Sequence, residues 1–153
     1  MQVRRILVPT DFSKGSEAAL AYAQVFAARF EADVVLLHVV EPQRPLRELP
    51  GLPFDASGGS AGLARAAEER LSHLARAMER GGRWPKTAVR LGSEDEEILA
   101  AAREEQAGLI VMGTHGRTGL GRALLGSVAE RVVRRAPCPV LTVPPGERAL
   151  SDF

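Results

Sequence analysis

Two short runs constrain this chain more than anything else in it: DVVLLHVV at residues 33–40 and GLIVMG at 108–113. Both read as apolar throughout, without the polar alternation of a strand that keeps one face in water. Such a strand is buried on both sides, and the sheet that holds it is parallel with helices over each face. VRRILVP (3–9), KTAVRL (86–91) and PVLTV (139–143) complete five strand candidates, all rich in Val, Ile and Leu.

The intervening segments carry the helical period. Ala19, Ala23, Phe26 and Phe30 form one apolar stripe after Ser13, and Leu63, Ala67, Leu71, Leu74 and Met78 form a second. A third helix opens at SEDE, where Ser93 and Glu96 have capping-box spacing and the acidic cluster suits a helix N-terminus better than a metal. A fourth begins near Ser127 and closes with Arg134 and Arg135 before Pro137. Alternating β and α with right-handed crossovers predicts an α/β fold: one doubly wound five-stranded parallel sheet, order 3-2-1-4-5, helices on both faces, Rossmann-like. The 153 residues suit a single domain spanning 1–153, with a long Pro/Gly-rich loop at 41–62 and a tail at 144–153.

Twenty basic residues against 19 acidic ones leave a net charge of +1, so no global field draws the chain to nucleic acid or to an anionic membrane. An anion site has to be local. No apolar stretch reaches 18 residues, and the short apolar run near Met1 does not make a signal peptide, which together predict a cytoplasmic location without membrane contact. Cys138 has no disulfide partner in the chain, and no Cys/His spacing resembles a zinc site.

Open α/β sheets take ligands beyond the carboxyl ends of their strands, where strand order reverses. The first strand runs into PTDFS, which sets Asp11 just past its end, and the fourth runs into GTHGRTGLGRALLGSV. Gly113 and Gly116 permit a sharp turn with exposed amides, and Gly126 and Ser127 start a helix whose first amides lack intrahelical partners. That is the geometry of a phosphate cradle. It is also the geometry of a plain helix start, since Ser127 and Glu130 form a capping-box pair, and the two readings are compatible. GRALLGSV lacks the lysine of a P-loop, and Asp11 has no second carboxylate for two-metal chemistry, so rapid phosphoryl transfer is disfavoured.

The spacing of Gly113, Gly116, Gly126 and Ser127 reproduces the G-2x-G-9x-G-S signature of the nucleotide-binding branch of the universal stress protein family. ILVPTDFS, LLHVVEP and the C-terminal run through PCPVLTV resemble that family as well, so the resemblance covers nearly the whole chain. It implies an ATP (or ADP or AMP) site in a cytoplasmic sensor or regulator of the stress response. Pro9, Thr10 and Asp11 would approach adenine and ribose, with Asp11 accepting from ribose hydroxyls or helping to hold a metal, Mg2+ or Mn2+. Val39 would meet the adenine through its backbone, and Met112 and Gly113 would line the sugar. Gly116, Arg117, Gly126, Ser127 and Val128 would surround the phosphates, and His115, inside the glycine loop, has a phosphate within reach. No residue is assigned a catalytic role. The family also implies a homodimer joined through the last strand, Pro139 to Val143. Gly121 departs from the family's usual bulkier or basic residue. A slow ATPase of the same fold and a dimeric interaction module without nucleotide are the alternatives.

Four further groups have plainer readings. His38 suits a core or backbone-supporting role, His73 a solvated one, and Cys138 packs at the entrance to the last strand. Arg131, Arg134 and Arg135 complement a helix C-terminus rather than form a nucleic-acid patch, since no aromatic residues interleave them.

Overall fold

The computed structural model describes residues 3–41, 58–79, 83–114 and 125–145. Strands β1 (Arg5–Pro9), β2 (Asp33–Val40), β3 (Lys86–Leu91), β4 (Leu109–Gly113) and β5 (Val140–Val143) alternate with helices α1 (Lys14–Phe30), α2 (Gly58–Ala77), α3 (Glu94–Glu104) and α4 (Ser127–Arg135). They form one parallel sheet in the expected order, β3-β2-β1-β4-β5.

Side-chain alternation explains why the central strands have no polar face. Leu7, Val35, Leu37, Val39, Ile110 and Met112 point to one side, where Ile98, Leu99, Ala102, Ala129 and Val132 of α3 and α4 cover them. Ile6, Val8, Leu36 and Val111 point to the other, against Ala19, Leu20, Ala23, Leu71 and Ala75 of α1 and α2. Successive residues of a strand thus enter opposite cores, and each must be apolar. Helix α1 leaves β1 and α4 leaves the adjacent β4 onto opposite faces, which places the strand-order reversal between them.

Several boundaries differ from the sequence expectation. Val3 and Arg4 precede β1 and Pro139 precedes β5. Helix α2 starts at Gly58, so residues 58–62 are helical and not part of a loop reaching 62. The remainder of that segment, 42–57, and the tail beyond 145 lie outside the described residues. Along the stripe in α2, Ala67 and Leu71 are buried while Leu63 is exposed. In α1, Phe30 stacks on Phe26 at the surface, with ring centroids 5.7 Å apart. Neither capping box forms. Ser93 is the N-cap of α3, but its hydroxyl donates to Asp95 at 3.1 Å instead of capping the helix. Ser127 is the first residue of α4 rather than its cap.

Candidate functional site

One wall is the β1–α1 turn, which is cross-linked by its own short polar side chains. The Thr10 amide donates to the Leu37 carbonyl at 2.8 Å, which keeps the chain against β2 after β1 has ended. Thr10 Oγ1 donates to Ser16 Oγ at 3.0 Å and accepts from the Phe12 amide at 3.0 Å, while Ser16 Oγ donates to the Ser13 carbonyl at 2.8 Å. Ser13 caps α1 by accepting from the Ser16 amide. Thr10 and Ser16 are buried, and burial of hydroxyls is tolerated because each is hydrogen-bonded.

This turn presents Asp11. Its Oδ1 accepts from the Ser13 amide at 3.0 Å. Burial pushes the Asp11 carboxyl up, but hydrogen bonds from Ser13 and Ser16 outweigh that and hold it below its ordinary value of 3.8. The group is a fixed anion at neutral pH. Beside it, Phe12 adopts φ 62°, a left-handed conformation that is uncommon for a bulky residue and costs on the order of 1–3 kcal/mol. The ring's neighbours hold it there: the His38 ring lies 4.6 Å away, and the Arg70 guanidinium sits 4.0 Å from its centroid. His38 has the supporting role expected of it. It is buried, with Nδ1 2.7 Å from the Thr10 carbonyl; a carbonyl only accepts, so Nδ1 carries the proton.

The opposite wall is the β4–α4 connection. The Thr114 amide donates to the Val143 carbonyl at 3.0 Å, and the Gly126 amide donates to the Thr114 carbonyl at 2.7 Å, so the two ends of the glycine loop are pinned together beside β5. Gly126 is the N-cap of α4, and a glycine offers no side-chain acceptor. Glu130, the other half of the expected box, pairs with Arg134 one turn on, at 2.9 Å. Among the described residues the N-cap of α4 gives its first-turn amides no side-chain cap, and these amides carry the partial positive charge of a helix start.

Gly113 is required for a reason that a loop reading does not supply. A Cβ there would lie 2.9 Å from the carbonyl carbon and oxygen of Gly15, backbone that has no room to yield. The glycine at 113 lets β4 approach the first turn of α1 closely, which brings the two walls together.

Between the walls lies a cleft of about 750 Å3. The sequence-nominated Pro9, Thr10, Asp11, Val39, Met112 and Gly113 line it, and so do Gly126, Ser127 and Val128. His115, Gly116 and Arg117, together with Gly121, lie outside the described residues. The structure adds Phe12, Ser16, Arg70, Glu94 and Arg131 to the lining. Two of these had a sequence signal. Arg70 stands three residues after Ala67 and seven after Leu63, a charge on an otherwise apolar stripe, and Arg131 stands four after Ser127, on the same helix face.

Arg131 and Arg135 also correct the reading of the α4 arginines. Asp95 of α3 is buried, its side chain 6% exposed, and it takes Arg131 Nε at 3.1 Å and Arg135 Nη1 at 3.5 Å. Two of the three arginines thus tie α4 to α3, while Arg134, which pairs with Glu130, and Arg135 stand in the last turn as expected of cations at a helix end. The SEDE cluster is accordingly more than an acidic cap, because Asp95 turns inward to meet them. Cys138 is half-buried, and burial pushes its thiol up, as expected of a packed rather than a reactive cysteine. Among the described residues there is no group of three or more His, Cys, Asp or Glu placed to hold a metal, and no helix long and apolar enough to cross a membrane.

The sequence profile described as the universal stress protein family matches residues 2–144. The chain belongs to that family. A universal stress protein of Methanocaldococcus jannaschii is 39% identical over 92% of this chain and 81% of the relative. A second from the same archaeon is 33% identical over 92% of this chain and 94% of the relative. Its solved structure superposes with a TM-score of 0.81, covering 97% of this chain and 100% of that one at 32% identity. A universal stress protein crystallised in complex with cAMP is also similar, with a TM-score of 0.61 and 26% identity over 94% of this chain and 98% of that one.

Proposed function

We propose that this universal stress protein binds an adenine nucleotide, ATP with a divalent cation, in the cleft between the β1–α1 turn and the start of α4. It would act as a cytoplasmic sensor or regulator of the stress response rather than as a fast enzyme. The observation that carries this reading is the pairing of opposite chemistries in one cleft: a carboxylate held ionised at the end of β1 and the entrance to α4, whose N-cap glycine caps no amide, line the same cavity. A nucleotide is itself bipolar, with hydroxyls that donate to a carboxylate at the ribose and an anionic chain that suits helix amides. Pro9, Thr10 and Val39 then lie towards the base, Met112 and Gly113 towards the sugar, and Gly126, Ser127 and Val128 towards the phosphates, joined by His115, Gly116 and Arg117 of the loop.

The donor set fits a cation only in part. Mg2+ is commonly held by one or two carboxylates with phosphate oxygens and water completing the shell, and Asp11 is one carboxylate. Asp11 would hold the metal or accept from the ribose, and the nucleotide would supply the remaining oxygens. The missing P-loop lysine argues against rapid hydrolysis. The similarity to a cAMP-bound relative supports an adenine ligand. The protein would form a single domain and dimerise through the β5 edge.

A thermal-shift titration tests this. Saturation with ATP and Mg2+ at 100 times the Kd should add about 2.7 kcal/mol of stability. The absence of any shift with ATP, ADP, AMP or cAMP would replace this reading with that of an interaction module. A monomer mass by light scattering at tens of micromolar would remove the dimer.

A further inference from the structure

We infer that Arg131 is a determinant of phosphate-chain length, a cation that engages a polyphosphate beyond the phosphate bound at the α4 amides, and that Asp95 is the residue that positions it. This deepens the nucleotide reading above and rests on it. Three observations converge. Arg131 lines the cleft and stands four residues after Ser127, so its side chain, tilted towards the helix N-terminus, lies over the same face as the amides that begin α4. Its ion pair with Asp95 is made through Nε at 3.1 Å, which uses one of five N–H donors on a guanidinium whose side chain remains 48% exposed. Asp95 is itself anchored, accepting from Ser93 Oγ at 3.1 Å and paired with Arg135 Nη1, so the carboxylate that grips Arg131 is fixed on its other side.

The charge of this wall makes the role specific. Glu94 also lines the cleft on the α3 side. Arg131 gives that wall a guanidinium whose planar fork suits phosphate oxygens. A monophosphate satisfied by the α4 amides has little left to reach Arg131. Each added phosphate extends the anion and gives the guanidinium more to bind.

The test measures calorimetric affinities of the full-length protein for ATP, AMP and adenosine at fixed ionic strength. Arg131→Gln is expected to weaken ATP about tenfold or more and AMP less, and to leave adenosine within about twofold. Arg135→Gln loosens Asp95 on its other side and should give an ATP-selective loss smaller than that of Arg131→Gln; Arg131→Lys should restore part of the ATP affinity. Asp95→Asn should reproduce a weaker form of the ATP-selective loss, since it loosens the grip on Arg131 but leaves its charge. If Arg131→Gln unfolds, the Asp95→Asn/Arg131→Gln double variant removes the stranded carboxylate and is titrated in its place. Equal ATP affinity in the wild type and the Arg131 variant, or an equal loss for ATP and adenosine, overturns the inference while the nucleotide site stands. Failure of the wild type to bind any of the three overturns both.

Discussion

Asp11 and Asp95 are two aspartates withdrawn from water and engaged by serine, and they serve different purposes. Asp11 is half-buried, and its engagements come from the backbone and hydroxyls of its own turn, within five residues in sequence. It lines the cleft at the end of β1. Asp95 is 5% exposed and its charge is answered by two arginines some 36 and 40 residues further along the chain. The first arrangement presents a charge for a ligand to meet. The second uses a charge to fasten two helices, and the ends of its arginines become available only as a by-product of that fastening. Dipoles can hold an anion without neutralising it, whereas an opposite full charge largely cancels its reach.

The largest expected effect comes from emptying the Asp95 site. The Arg131→Gln/Arg135→Gln double variant leaves a buried carboxylate without either cation and should lose about 3 kcal/mol in urea denaturation. A loss below about 1 kcal/mol would mean that the α3–α4 junction does not depend on these pairs, and the contrast with Asp11 would collapse.

Next is the spacing of the walls. Gly113→Ala pushes a methyl group against the Gly15 backbone and should cost about 2 kcal/mol by the same measurement. It should also weaken ATP binding, because both walls move. A neutral substitution would show that the approach of β4 to α1 is not what sets the cleft.

Arg70→Ala removes the guanidinium over Phe12 and should cost about 0.5–1 kcal/mol. The Phe12 ring, beside a backbone at positive φ, then loses one of its two neighbours, so hydrogen exchange in the β1–α1 turn should quicken while that of α4 is unchanged.

Smallest in stability is Asp11→Asn, which keeps an oxygen to accept from the Ser13 amide and should shift stability by about 0.5 kcal/mol or less near neutral pH. Its effect belongs to binding, with a tenfold or greater loss of nucleotide affinity expected. The pH dependence has a definite sign. The folded-state pKa of Asp11 is lowered, so its stabilisation is fully present above the ordinary value of 3.8 and fades as pH falls through that value and then through the folded one. The difference in affinity between wild type and Asp11→Asn should therefore be flat from about pH 5 to 8. A difference that drifts across that range would place another titrating group at the site.

Much of this architecture could be read from residue order. DVVLLHVV and GLIVMG announced strands buried on both faces, the alternation with helical stripes announced parallel pairing, and the order of strands and the position of the cleft came with them. The nominated residues that fall within the described structure all line one cavity. Apart from element boundaries, the departures concern which partner a polar side chain takes. Ser93 with Glu96 and Ser127 with Glu130 have capping-box spacing, yet neither box forms, because Asp95 and Arg134 offer a partner in its place. Arg131 and Arg135 read as complements of a helix end; Arg135 does stand in the last turn of α4, and both also pair with Asp95.

By itself, then, the sequence determined what depends on period and neighbourhood: which segments are strands or helices, which faces are apolar, and which glycines and hydroxyls gather at strand ends. Only the tertiary structure decided which charge answers which, that Gly113 is needed by Gly15, and that Phe12 lies between His38 and Arg70. Hydrophobic burial acts on every apolar residue and leaves a repeating trace along the chain. An ion pair or a close backbone contact depends on two positions brought together by the fold, and nothing in the spacing of either residue records the other.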